Sequence, residues 1–188
     1  MFRTVSHYHP EEAKRIGRML AGYSELEYGL FACIESAGVD FDSSFKVMFR
    51  TRGETQRLEV ADALGRYKFH ALGFGTDFEM GVGGVRKCLK IRNQYAHSHW
   101  FADEKSLNFF DMEENAKLNI LLTTENTRFV FRSLTPDLVK RQEDFFNYVS
   151  DFLIWLQMET DRKRGTPTTL DVSKPKQLEP PLLYMRPG

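Results

Sequence analysis

Apolar residues recur at three- and four-residue steps through four long stretches of this chain, and that period commits most of it to amphipathic helices. The first stretch opens at Pro10, followed by Glu11 and Glu12, a proline and two acids suited to a helix start. It continues through Ile16, Leu20, Tyr23, Glu27, Leu30 and Ile34 and stops at Gly38. Thr51-Arg52-Gly53-Glu54 has the spacing of a capping box, and Leu58, Ala61, Leu64, Tyr67 and Ala71 mark the helix expected after it. Gly73 and Gly75 break that helix. A third helix is expected over about 77–99, with Val82, Val85, Cys88 or Leu89, and Tyr95 or Ala96 inside. Thr135-Pro136-Asp137 is a cap with proline at the first helical position. Leu138, Gln142, Phe145, Val149, Phe152 and Leu156 then give a stripe reaching about Met158. A short helical piece is expected around 45–49.

Between the third and last helices the pattern changes. "SLNFFDM", "KLNILLTT" and "TRFVFRS" are short, rich in Phe, Leu and Val, and separated by polar turns, which predicts two or three antiparallel strands over about 105–132. From Asp161 no period survives, and five prolines punctuate an expected extended or partly disordered tail, 161–188. The expected fold is therefore mainly α: a helical bundle over 1–160 with a small antiparallel hairpin or three-stranded insert before the last long helix. At 188 residues the chain can bury a real core, and its 16 phenylalanines imply a thick aromatic core or an apolar subunit interface. The formal net charge of zero gives no global field for nucleic acid, so such contacts must be local. No apolar run approaches a membrane span or a signal region, and the two cysteines, Cys33 and Cys88, read as free buried thiols, so a cytoplasmic setting without membrane contact is expected.

The run Arg92-Asn93-Gln94-Tyr95-Ala96-His97 lies in the C-terminal half of the third helix. On a helix Asn93 and His97 share a face, one turn apart, while Arg92 and His97 are about 140° apart around the axis. Imidazole moves protons near neutral pH, and guanidinium offers a rigid, permanently charged fork that matches phosphate. An asparagine between them can orient the histidine or donate to a phosphate oxygen. This set suits cleavage of an RNA phosphodiester without a metal or other cofactor. A capped helix end, with histidine favoured there by the dipole, is the plainer reading of the same residues. "GFGTDFEMGVGG", despite its glycines, lacks the strand and lysine of a phosphate loop.

"IRNQYAHSHW" resembles the signature of the HEPN superfamily: an arginine, four to six residues, then a histidine, often with a polar residue directly after the arginine. Arg92, Asn93 and His97 match those positions, and the long helices before and after suit such a bundle over roughly 10–160. The resemblance implies a metal-independent endoribonuclease, often a toxin or a phage-defence effector, acting on RNA as a homodimer whose two motifs share a cleft. It also allows a catalytically silent module that binds nucleotide, RNA or a partner protein such as an antitoxin.

Three further residues have supporting roles to weigh. Glu27 falls on an apolar stripe, where it either forms a structural ion pair or holds Arg92 or His97. Tyr95 either packs in the core or stacks on a base. His99 lies two residues beyond His97, and the pair lacks the third and fourth ligands zinc needs. His7, His9 and His70 carry no supporting pattern.

Overall fold

A computed structural model describes residues 5–102, 107–117, 130–168 and 170–185, with the backbone alone at 113 and 114. The described chain is mainly helical. In order come α1 (Val5–Tyr8), α2 (Pro10–Ser36), α3 (Phe41–Arg50), α4 (Glu54–Leu72), α5 (Gly75–His97), β1 (Ser98–Ala102), β2 (Leu107–Asp111), α6 (Met112–Lys117), β3 (Arg132–Leu134) and α7 (Pro136–Lys163). The strands form one antiparallel sheet in the order β1-β2-β3, ahead of the last long helix, with Trp100 opposite Phe109 and Leu107 opposite Leu134.

The chain divides into two compact units. One holds the described parts of Gly22–Leu89 and Phe145–Pro180, the other those of Met1–Ala21, Lys90–Asp144 and Pro181–Gly188. The Gly22–Leu89 unit is helical, with Leu30, Ile34, Phe69, Phe78, Val85, Phe152 and Leu156 all buried. Bare backbone lets its side chains approach closely. Phe78 stacks on Phe69 with centroids 4.3 Å apart, and a Cβ at Gly65 would stand 2.4 Å from the Phe78 ring. A Cβ at Gly84 would stand 2.9 Å from Val149. The buried Cys33 thiol donates to the Leu153 carbonyl at 3.2 Å.

Gly73 ends α4 at φ 86°, the left-handed region that glycine enters without steric cost. The capping box expected at Thr51–Glu54 does not form. Gly53 is the N-cap, also at φ 86° and without a side-chain bond, while the Thr51 hydroxyl donates back to the Val47 carbonyl at 2.7 Å. Thr51 thus closes α3 instead of opening α4.

The other unit joins the sheet to helix ends. Leu107, Phe109, Leu134, Leu138 and Val139 are buried there. Glu143 accepts from both Arg15 and Arg18, the latter at 2.6 Å through Nε. The Thr135 cap forms as its sequence suggests, accepting from the Leu138 amide at 3.1 Å. The end of the chain is held by polar contacts. Gln142 Nε2 donates to the Leu182 and Leu183 carbonyls at 2.7 and 3.0 Å, the Met185 amide donates to the Ser133 carbonyl at 3.0 Å, and Tyr184 lies 3.9 Å beneath the Arg132 guanidinium.

Two boundaries differ from expectation. The third helix stops at His97 rather than near 99, and Ser98–Ala102 becomes the first strand. Met112–Lys117 is a short helix not foreseen from the sequence. Most of the expected strand at 117–124 lies outside the described residues, as does 127–129.

Candidate functional site

The last two turns of α5 sort their side chains by face. Ile91, Gln94 and Tyr95 are buried, Arg92 and Asn93 half-buried, and Ala96 and His97 exposed. Ile91 and Tyr95, four residues apart, anchor the helix and aim Arg92, Asn93 and His97 away from the core, while Gln94 stays buried.

Arg92 Nη1 donates to Asn93 Oδ1 at 3.0 Å. The amide therefore orients the arginine, whereas helix geometry alone had stacked it with the histidine. Its nitrogen is left to donate elsewhere. His97 is the last residue of α5 and carries its imidazole at the surface, at the negative end of a 23-residue helix. Its helical position, one turn beyond Asn93, puts the imidazole on the side of the bonded Arg92–Asn93 pair.

Tyr95 acts as a strut. Its hydroxyl donates to Gln142 Oε1, its ring stacks on Trp100 at 5.3 Å and 19°, and its carbonyl accepts from the Trp100 indole at 3.2 Å. Trp100 in turn stacks on Phe109 at 4.7 Å. Burial pushes the Tyr95 hydroxyl well above the usual tyrosine range, so it stays a neutral donor. At 4% exposure its ring offers no face to a base. Gln142, fully buried, thus joins the motif helix to the end of the chain through one amide: its oxygen accepts from Tyr95 and its nitrogen serves Leu182 and Leu183.

The other candidates have partners of their own. His99 is exposed on β1, its ring 5.1 Å from Phe110. Glu27 belongs to the Gly22–Leu89 unit and accepts from Arg57 Nε at 3.0 Å, a largely buried ion pair. Among the described residues no group of three or more His, Cys, Asp or Glu is placed to hold a metal ion, and no helix is long and apolar enough to cross a membrane.

No family model, curated protein or solved structure matches the chain.

Two residues of this region were not singled out by sequence. Gln94 Nε2 and Ser98 Oγ are buried without a hydrogen-bond partner among the described residues. Gln94 lies on the last turn of α5 and Ser98 opens β1 directly after it. Gln94 is inside the motif, so its position was visible, but burial of its amide depends on the fold around it. Gln142 left a signal of its own, as the one amide on the otherwise apolar stripe of α7.

Proposed function

We propose that this chain is a metal-independent endoribonuclease that cleaves single-stranded RNA through the ribose 2'-hydroxyl. The observation that carries the reading is the end of α5: a guanidinium held by the neighbouring amide, with an imidazole exposed one turn further on. The HEPN-like wording of the same residues supports it.

In this reaction His97 takes the proton from the 2'-hydroxyl, and the freed oxygen attacks the adjacent phosphorus. The bond from phosphorus to the 5'-oxygen breaks, and that oxygen leaves as a hydroxyl after gaining a proton from water or from an imidazolium. The products are a 2',3'-cyclic phosphate and a 5'-hydroxyl end. Arg92 stabilises the charge that builds on the non-bridging oxygens. Asn93 fixes the guanidinium so that little rotamer entropy is lost when phosphate arrives. Tyr95 and Gln142 hold the helix from behind. The HEPN-like wording favours the shared cleft of a homodimer over a pocket in one copy. A toxin or phage-defence role, with an antitoxin as partner, belongs to the same reading.

One observation favours a second reading. His97 has no hydrogen-bonded group to fix its tautomer among the described residues, and a general base is ordinarily held by a third group. The alternative is a silent module that binds nucleotide, RNA or protein through Arg92 and Asn93.

The discriminating experiment is incubation with mixed single-stranded RNAs in EDTA, with His97→Ala and Arg92→Ala proteins alongside. The nuclease reading expects cyclic phosphate ends from the parent and a loss of roughly 100-fold or more in each variant. The silent module expects no cleavage by any of them, but RNA binding that weakens in Arg92→Ala.

A further inference from the structure

Helix α3 presents an aromatic ridge to solvent. Phe41, Phe45 and Phe49, at successive four-residue steps, are 55%, 42% and 36% exposed. The rings are ordered against one another. Phe41 and Phe45 stack at 5.8 Å and 7°, Phe45 and Phe49 lie 4.9 Å apart, and all three meet the buried Phe31 edge-on at 5.3–5.8 Å. Tyr28 extends the patch at 56% exposure. An isolated exposed phenylalanine needs no explanation, but a preformed row of three does.

The charges beside the ridge identify its occupant. Asp42, Lys46 and Arg50 run along one flank at the same four-residue step, all exposed, with Lys46 donating to Asp42 within the helix. If a second α3 packs antiparallel with the two-fold axis at Phe45, Phe41 meets Phe49 of the other copy and Phe45 meets its own equivalent. The same symmetry sets Asp42 of each copy between Lys46 and Arg50 of the other. Parallel two-fold packing would instead put the charged flanks of the two copies on opposite sides of the ridge, where they do not face each other. The ridge is thus self-complementary in shape and in charge for one arrangement, the antiparallel one.

We propose that the α3 ridge is a self-association surface, on which two copies of this chain pack antiparallel about Phe45. The ridge offers roughly 400 Å² of aromatic surface per copy, about half of a standard interface side, so the association is concentration-dependent. It contains no residue of the Arg92–His97 motif, and its test needs no RNA cleavage.

Sedimentation velocity of the full chain over micromolar to near-millimolar concentration is the primary measurement, beside Phe45→Glu. The parent is expected to form a higher-mass species, and Phe45→Glu to halve that mass or raise its dissociation constant at least about tenfold. Phe45 is exposed, so circular dichroism should report an unchanged fold. Cysteine trapping reads the orientation, because Cys33 and Cys88 are buried. Antiparallel packing cross-links Phe45→Cys with itself and Phe41→Cys with Phe49→Cys, but leaves Phe41→Cys alone uncross-linked. Equal self-cross-linking at all three positions would mean parallel packing and overturn the proposal. So would a parent of constant monomer mass, a higher-mass species untouched by Phe45→Glu, or a monomer that uses the ridge only to bind phosphatidylglycerol vesicles.

Discussion

The two units share some kinds of contact and differ in others. In the Gly22–Leu89 unit Phe78 and Val149 rest on glycine backbone where a methyl group would not fit, and Phe69 stacks on Phe78. Both units hold a carboxylate between two arginines, Asp62 with Arg66 and Arg86 in the first and Glu143 with Arg15 and Arg18 in the one that carries the motif, and the second adds a buried amide, Gln142, between Tyr95 and the end of the chain. Close apolar packing tolerates little change of volume, whereas a buried amide tie is sensitive to the loss of one atom's partner. A site helix held by directional bonds has a fixed rotation about its own axis, which a site built on Arg92, Asn93 and His97 requires.

The largest effect is expected in the Gly22–Leu89 unit. Phe78→Ala empties the space between Phe69 and Gly65 and should cost about 3–5 kcal/mol in urea unfolding. A loss below about 1 kcal/mol would mean that the stacked rings are not central to that core.

The matching probe of the unit that carries the motif is Gln142→Leu, which keeps the volume but strands the Tyr95 hydroxyl and two carbonyls. The expected cost is about 2–3 kcal/mol. Combining it with Tyr95→Phe should recover part of the loss, since one stranded group disappears. Strict additivity in that double-mutant cycle would break the proposed tie.

Glu143→Ala releases Arg15 and Arg18, whose side chains are 28% and 50% exposed, so solvent screens much of the pair. About 1–2 kcal/mol should be lost, less at high salt, and insensitivity to salt would assign the effect to packing instead.

The smallest effect is a pH dependence set by the Gly22–Leu89 unit. Burial pushes the Cys33 and Cys88 thiols far above their ordinary 9.0. Below that value both are protonated in the folded and unfolded chain, and stability is unaffected. As pH rises past about 9 the unfolded chain ionises and the folded one does not, so stability falls. Neither thiol should react with a disulfide reagent at pH 8 until denaturant is added, and fast labelling of the native chain would contradict their burial.

Much of this contrast was legible in the amino-acid sequence where a stripe repeats often enough. All six apolar-face positions of α7, Leu138 to Leu156, are buried, Gln142 included. The start of β1 was harder, because Ser98 and His99 carry no turn signal or apolar alternation to separate them from the helix before them. Only pairing with Leu107–Asp111 makes Ser98–Ala102 a strand, and pairing is not a local property. Thr51 misled for the opposite reason: its local pattern fits a cap, yet α3 claims it. The partners of Glu27 and Gln142 are Arg57 and the carbonyls of Leu182 and Leu183, 30 to 41 residues distant, which no spacing rule reaches. At the site the motif itself was visible, while the Arg92–Asn93 bond and the burial of Tyr95 depended on side-chain placement.

The most direct measurement is the product end left on single-stranded RNA in EDTA by the parent chain and by His97→Ala. A ribonuclease of the proposed kind leaves 2',3'-cyclic phosphate with the parent and at least about 100-fold less with His97→Ala. Cyclic ends produced equally by both proteins would contradict His97 as the group that moves the proton.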